Sequence, residues 1–146
     1  MSDYKIDTRV IHAGQEPDPT TGAVITPIYA TSTYAQQSPG VHKGYDYARS
    51  HNLTRYAYER CVADLEGGVG AVITASGMAA VTLVAQLFRP DDLAVVPHDC
   101  YGGSWRLFNA LAKKGAFELI TCDLTDPRAL AEALQESPAL VWISST

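Results

Sequence analysis

Residues 71–80, AVITASGMAA, combine a short apolar run with a turn of small residues and the start of a helical pattern. The run 71–74 is apolar without alternation, which is typical of a strand that is buried on both faces. Residues 78–88 then place apolar side chains at helical spacing. A buried strand that leads directly into a helix is the unit from which parallel α/β sheets are built.

The same alternation continues towards the C-terminus. Further apolar runs cover 93–96, 117–121 and 140–143, and helical patterns cover 56–65, 105–112 and 127–134. The helix at 56–65 should end at Gly67 and Gly68. We therefore predict a largely parallel α/β sheet with right-handed crossovers, in which ligands bind at the carboxyl ends of the strands.

The turn at 74–80 is the first candidate site. Backbone N–H groups at a helix N-terminus carry partial positive charge, and Gly77 allows a close approach, so the turn suits a phosphate. The structural alternative is a serine N-cap, Ser76, in front of a tightly packed helix. From this segment alone, the structural alternative is favoured.

Residues 98–106, HDCYGGSWR, follow the next predicted strand and form the second candidate. Tyr101 can stack on a planar cofactor, and Arg106 can bind a carboxylate one helical turn further on. Core packing of Tyr101 and a solvated Arg106 are the alternatives. His98 has no second ligand nearby, which favours a structural histidine over a metal ligand.

The N-terminal part has a different pattern, because prolines and glycines interrupt it and no apolar period is sustained. We predict that residues 1–55 form an extended arm. A long segment without its own core usually either carries function or contacts a partner subunit, so an oligomer is one of two interpretations. Within it, Tyr47 and Arg49 could bind a phosphate through charge-assisted hydrogen bonds. A solvated polar loop is the alternative.

Composition excludes several function classes. The chain has 146 residues, 47% of them hydrophobic, with 11 basic and 16 acidic side chains and no basic run, which indicates a globular protein and disfavours nucleic acid and membrane surfaces. The sequence contains neither GxGxxG nor GxxxxGK[ST], which disfavours a nucleotide-binding module.

The cysteines and the apolar stretches indicate the cellular compartment of the protein. Cys61, Cys100 and Cys122 are far apart and lack CxxC spacing, so we expect reduced, structural thiols and no metal site. No apolar stretch is long enough for a signal peptide or a bilayer span. We expect a cytoplasmic protein.

Taken in order, four segments resemble the Cys/Met-metabolism family of pyridoxal 5'-phosphate (PLP) enzymes. They are TRVIHAGQEPDPTTGAVITPIYATSTY at 8–34, GYDYARSHNLTR at 44–55, ADLEGGVGAVITASGMAA at 63–80 and VPHDCYGGSWRLF at 96–108. Several such motifs in order are far more specific than any one. The resemblance implies that residues 56–146 are the first part of the PLP-binding α/β domain of fold-type I (aspartate aminotransferase-like) enzymes.

The resemblance also implies roles for the candidate residues. Tyr47 and Arg49 match a Tyr-x-Arg pair that reaches across a dimer interface to the PLP phosphate of the neighbouring subunit. This implies a homo-oligomer built from dimers, with a tetramer expected.

Three further positions match cofactor contacts of the family. Gly77 and Met78, next to Ser76, match positions whose backbone amides hold the PLP phosphate. Tyr101 matches the tyrosine that stacks on the pyridine ring and assists proton transfer, and it is the catalytic residue that the resemblance implies.

The segment 101–106 is similar to the γ-synthase and γ-lyase branch and unlike the β-lyase branch. In that branch Arg106 would bind the distal carboxylate of the substrate, and Asp46 matches an acidic position near the substrate. The implied reaction is γ-replacement on an activated homoserine with cysteine, which gives cystathionine. A γ-lyase or a homoserine sulfhydrylase of the same family is the alternative.

The Schiff-base lysine of the family pattern lies beyond Thr146, and neither Lys113 nor Lys114 matches it. We therefore expect the 146-residue chain alone to be inactive. A non-catalytic truncated fragment is the alternative of a different class. Its last apolar run, 140–143, would leave an open sheet edge, which predicts aggregation of an isolated monomer.

Overall fold

The computed structural model describes residues 4–144. The chain divides into two compact units, Met1–Ile73 and Thr74–Thr146. The helices are α1 (Ile6–His12), α2 (Leu53–Glu66), α3 (Gly77–Ala85), α4 (Gly102–Lys113) and α5 (Pro127–Gln135), and the strands are β1 (Leu93–Pro97), β2 (Glu118–Cys122) and β3 (Leu140–Val141). Among the described residues, no helix is long and apolar enough to cross a membrane.

The second unit contains the sheet. Its strands lie in the order β2-β1-β3, and both pairings are parallel, with Val95 opposite Ile120 on one side and Val141 on the other. The helix α4 connects β1 to β2, and α5 connects β2 to β3. The predicted parallel α/β architecture is confirmed.

The core of this unit lies around the central strand β1. Ala94, Val95 and Val96 are fully buried because β1 has a neighbour on both edges. Phe108 of α4 is also fully buried, and its ring centroid lies 5.6 Å from that of Trp142. Helix α3 packs into the same cluster, so the N-terminus of α3 and the start of α4 are held by one core.

The first unit is built on α2. Asn52 caps this helix by accepting hydrogen bonds from the amides of Thr54 and Arg55, and Gly67 ends it in the left-handed conformation, at φ 67°. The predicted helix stop is therefore confirmed, and the helix begins three residues before the predicted start at 56 because the Asn52 cap satisfies its first amides.

The predicted arm contains a short helix that the sequence pattern does not show. Helix α1 contacts α2, and the Arg9 side chain forms a 2.8 Å ion pair with Asp64. Behind α1, Gly14 has a φ of +75°, and a Cβ there would lie 2.4 Å from the carbonyl oxygen of Ala57. This helix depends on contacts with α2, which a local apolar period cannot reveal.

Two strand predictions need correction. Residues 71–74 form no strand; the Ile73 amide donates to the Glu59 carboxylate at 3.2 Å, and Val72 is 70% exposed. The predicted strand 140–143 is only two residues long, although the Trp142 amide still donates to the Val95 carbonyl at 2.8 Å. An apolar run becomes a strand only where a neighbouring strand accepts its hydrogen bonds.

Candidate functional site

The N-terminus of α3 presents two backbone donors to open space. Ser76 caps the helix, since its hydroxyl accepts from the Ala79 amide at 3.1 Å. The amides of Gly77 and Met78 occupy the first two helical positions, which have no acceptor within the helix. Apart from its chain neighbours and the backbone of its own helix, no described residue lies within 4 Å of a Cβ placed on Gly77, so a ligand can approach these amides closely. The serine cap and the anion site are therefore compatible.

Tyr101 stands at the start of α4, after the carboxyl end of β1. It is the N-cap residue of α4 but makes no capping hydrogen bond with its side chain. The side chain is 57% exposed, its ring edge lies against Gly103, and the Met78 sulfur approaches the same glycine. The aromatic ring is thus available to a ligand, as predicted from its place after a strand.

The four predicted cofactor-binding residues of the second unit, Ser76, Gly77, Met78 and Tyr101, come together in one cavity. It has a volume of about 510 Å³, which lies within the range of small-molecule sites. Its lining consists of Ser76, Gly77, Met78, Val81, Tyr101, Ser104, Trp142 and Ser144.

The lining has the chemistry that a phosphorylated planar cofactor needs. The free amides at the α3 N-terminus suit the phosphate, and the Tyr101 ring offers an aromatic face for stacking. The Trp142 indole nitrogen is buried and has no hydrogen-bond partner among the described residues, although buried donors are normally paired. These residues therefore fit the predicted PLP.

The predicted tyrosine–arginine pair forms in the first unit. The Arg49 Nη2 donates a 3.0 Å hydrogen bond to the Tyr47 hydroxyl. The Tyr47 amide donates to Asp46 Oδ1 at 2.8 Å, and an antiparallel bridge joins Tyr47 to Thr33. These residues belong to the first unit, whereas the cavity lining belongs to the second.

Arg106 is exposed on α4 and is not part of the cavity lining. Its guanidinium lies close to Gly102, where Nη1 would be 3.4 Å from an added Cβ. The predicted contact between Arg106 and a substrate carboxylate stays a prediction.

A separate polar group lies at the ends of β1 and β2. The His98 amide donates to the Cys122 carbonyl at 3.0 Å. Burial raises the pKa of the Cys100 and Cys122 thiols, which lowers the fraction of the nucleophilic thiolate at neutral pH. Within residues 4–144 no group of three potential metal ligands is present.

Sequence reasoning missed several of the cavity residues. Trp142 and Ser144 follow β3 directly, and the rule that ligands bind where parallel strands end could have identified them. Gly103 is not part of the lining, but it lies against the Tyr101 ring and the Met78 sulfur. The sequence gives no indication of these contacts.

Comparison with known proteins agrees with the sequence resemblance. The sequence profile of the family described as "Cys/Met metabolism PLP-dependent enzyme" matches residues 7–146. A cystathionine beta-lyase of Coxiella burnetii is 55% identical over 96% of this chain and 36% of its own length. The cystathionine gamma-synthase of Escherichia coli is 45% identical over 94% of this chain and 36% of its own.

A solved structure shows the same fold. The cystathionine gamma synthase of Xanthomonas oryzae pv. oryzae, in complex with aminoacrylate and cysteine, aligns with a TM-score of 0.87 and 51% sequence identity. The alignment covers 96% of this chain and 36% of that chain, so the present chain spans little more than a third of the length of these relatives. The likeness confirms the predicted fold-type I architecture.

Proposed function

Because this chain belongs to the Cys/Met-metabolism family of PLP-dependent enzymes, we propose that its second unit supplies part of the cofactor site of a trans-sulfuration enzyme. The observation that carries the proposal is the cavity in which the open N-terminus of α3 and the Tyr101 ring meet. An anion site and an aromatic platform on one cavity wall match the two ends of PLP.

Different residues of the cavity would bind different parts of PLP. The Gly77 and Met78 amides bind the phosphate, and Ser76 holds the helix terminus in place through its 3.1 Å capping bond. Tyr101 stacks on the pyridine ring, so the ring plane keeps a defined orientation towards the substrate. PLP itself would supply an electron sink for bond cleavage at the amino-acid substrate.

We propose γ-replacement on an activated homoserine with cysteine, which gives cystathionine, as the reaction. The synthases of Escherichia coli and Xanthomonas oryzae support it, at 45% and 51% identity. A γ-lyase or a homoserine sulfhydrylase remains the alternative within the family. Substrate assays decide among them, since these enzymes share the cofactor site.

The β-lyase reaction is a second candidate, although residues 101–106 led us to expect the other branch. The Coxiella burnetii relative, named a cystathionine beta-lyase, is 55% identical, which is higher than the identity to the Escherichia coli synthase. The motif at 101–106 therefore does not exclude the β-lyase reaction.

The Tyr47–Arg49 pair supports a dimer as the working unit. Arg49 is exposed, and its hydrogen bond to Tyr47 aligns a guanidinium and a hydroxyl as donors. We propose that this pair binds the phosphate in the partner subunit of a homodimer, and that two dimers form a tetramer. In this arrangement the arm completes the neighbouring site.

Neither lysine of the second unit is placed to bond to the cofactor. Lys113 is the last residue of α4 and Lys114 is its C-cap, while Tyr101 stands at the other end. A helix of 12 residues is about 18 Å long at 1.5 Å per residue. We therefore propose that the 146 residues alone bind PLP without forming a covalent bond and do not turn over substrate.

The first experiment is a PLP titration of the purified chain, followed by borohydride reduction and intact-mass determination. We expect PLP binding that inorganic phosphate competes with, and an intact mass unchanged by reduction. A folded chain that binds no PLP would contradict the proposal for the cavity. A covalent adduct on Lys113 or Lys114 would contradict the proposal for the lysines.

The reaction itself is tested on the protein as its source makes it, with intact mass determined first. Release of cystathionine from an acyl-homoserine and cysteine supports the γ-synthase proposal. Breakdown of cystathionine with water to homocysteine, pyruvate and ammonia, without that synthesis, supports the β-lyase instead.

A further inference from the structure

Gly103, on the first turn of α4, lies beside one edge of the Tyr101 ring. A Cβ at this position would lie 2.4 Å from Tyr101 Cε1 and 3.1 Å from Cδ1. Contacts below 3.0 Å do not occur for real Cβ atoms, so any other residue here forces the ring to move. The Tyr101 ring occupies its present place only because Gly103 has no side chain.

The Met78 side chain approaches Gly103 as well. Its sulfur would lie 3.1 Å from the same Cβ position, so the sulfur and the ring edge converge on Gly103. Contacts between a methionine sulfur and an aromatic edge are favourable. Met78 packs against the buried core, and its carbonyl accepts a 2.7 Å hydrogen bond from the Thr82 hydroxyl. These contacts hold Met78 in a fixed position.

The neighbouring glycine has no comparable constraint. A Cβ on Gly102 would meet only the Arg106 Nη1, at 3.4 Å, the end of a long flexible side chain. Both glycines lie in the first turn of α4, and alanine raises helix propensity at either position. Gly102 is therefore a matched control for Gly103.

We propose that Gly103 and the Met78 side chain are positioning residues that determine the orientation of the Tyr101 ring. The Tyr101 side chain makes no capping hydrogen bond of its own, so its orientation depends on these contacts. The consequence for catalysis rests on the proposed function: the ring must be parallel to the cofactor to stack on it. Met78 thus serves the site twice, through its amide at the α3 N-terminus and through its sulfur, which lies close to Gly103.

The contact can be observed without any cofactor. The chain contains two methionines, so a protein labelled with methyl-13C methionine gives a Met78 signal that is easily assigned by Met78→Leu. We expect nuclear Overhauser contacts between this methyl group and the Tyr101 ring, and a ring-current shift that Tyr101→Ala abolishes. Gly103→Ala should abolish both, while Gly102→Ala should leave both unchanged.

If Gly103→Ala folds poorly, a double-mutant cycle on the free energy of unfolding still tests the proposal. The cost of Gly103→Ala arises from the Tyr101 ring, so the same substitution in a Tyr101→Ala background should cost much less. If the Tyr101 ring is not the cause, Gly103→Ala should lower the free energy of unfolding equally in both backgrounds. Unchanged methyl contacts in a folded Gly103→Ala protein, or a cost independent of Tyr101, would overturn the proposal.

A PLP titration separates this inference from the proposed function. We expect Gly103→Ala to bind PLP roughly two- to tenfold more weakly, the loss that corresponds to one aromatic stacking pair, and Gly102→Ala to bind as the parent does. If the parent chain binds no PLP, the proposed function fails, while the methyl signals still decide whether Gly103 and Met78 position the ring. If a Gly103→Ala protein with a displaced ring binds PLP as tightly as the parent, the proposed role of Gly103 in PLP binding is wrong.

Discussion

Arg49 donates a 3.0 Å hydrogen bond from Nη2 to the hydroxyl of Tyr47, and its guanidinium carbon lies 5.3 Å from the centroid of the same ring. Two residues that are only two apart in the sequence thus present their polar ends together. Among residues 4–144 the other guanidinium donors have no hydrogen-bond acceptor, so they can bind an anion in a planar fork, which a lysine cannot reproduce.

Arg49→Lys should lower the preference of the assembled protein for PLP over pyridoxal, which lacks the phosphate. We expect roughly a tenfold loss or more, since a hydrogen bond to a charged group is worth about 1.5–3 kcal/mol. Affinities for both ligands are measured by titration, with sedimentation to establish that dimers are present. Arg128→Lys, at an exposed position on α5, is the control. An unchanged preference in dimeric Arg49→Lys protein would contradict the proposed phosphate contact.

Asn52 should contribute more to stability than an ordinary helix cap. Its Oδ1 accepts from the Thr54 amide at 2.9 Å, and its Nδ2 donates to the Tyr29 carbonyl at 3.0 Å. We expect Asn52→Ala to lower the free energy of unfolding by about 1–2 kcal/mol, measured in urea. Asn52→Asp keeps the cap and loses the donor, so it should fall between the parent and the alanine variant. Equal losses in both variants would contradict the role of the cap.

Asp123 should make the fold sensitive to acid. The hydrogen bond from the Thr125 hydroxyl, with one from the Thr125 amide, lowers the pKa of the Asp123 carboxyl below its ordinary value of 3.8. A depressed folded-state pKa contributes stability that is present above the ordinary value and lost as the pH falls through the lower, folded-state pKa.

Thr125→Ala removes the hydroxyl donor and should return the Asp123 pKa towards 3.8, the ordinary value. Carboxyl-carbon NMR titration measures this directly. We expect the Asp18 pKa, which hydrogen bonds from Thr21 and Thr20 lower independently, to stay where it is. A Thr125→Ala protein with an unshifted Asp123 pKa would contradict the assigned cause.

Phe108→Ala should be strongly destabilising because Phe108 is fully buried beside Phe117 and Trp142. We expect a loss of about 3–5 kcal/mol in the free energy of unfolding, the range for a large aromatic removed from a core. Urea denaturation followed by tryptophan fluorescence measures the loss. Leu87→Ala, at a side chain that is 77% exposed, should change it by less than about 0.5 kcal/mol. Similar losses in both variants would mean that β1, α4 and Trp142 do not share one core.

Local signals explain the successful predictions. The serine at 76 and the glycine at 67 act on the backbone groups of their immediate neighbours, so the start of α3 and the end of α2 can be predicted from a few residues. The apolar run that became β1 is long enough to be buried on both faces. Tyr101 was placed because residues that follow a parallel strand lie at the ligand end of the sheet.

Two of the failures involve partners that are distant in the sequence. Residues 71–74 have the composition of a strand, yet the Ile73 amide binds the Glu59 carboxylate in place of a neighbouring strand. Helix α1 is too short for a recognisable period and depends on contacts such as that between Arg9 and Asp64. In each case a contact outside the local segment determines the structure.

The sequence by itself determined the order of strands and helices in the second unit, the end of α2, the serine cap of α3, and the family motifs that contain Ser76, Gly77 and Tyr101. These depend on apolar periodicity and on backbone groups close along the chain, which residue types specify directly. Only the tertiary structure decided that Trp142 and Ser144 complete the cavity and that Gly103 and Met78 lie against the Tyr101 ring. Those relationships join separate helices and strands, and they exist because one packed core holds the segments at van der Waals distance.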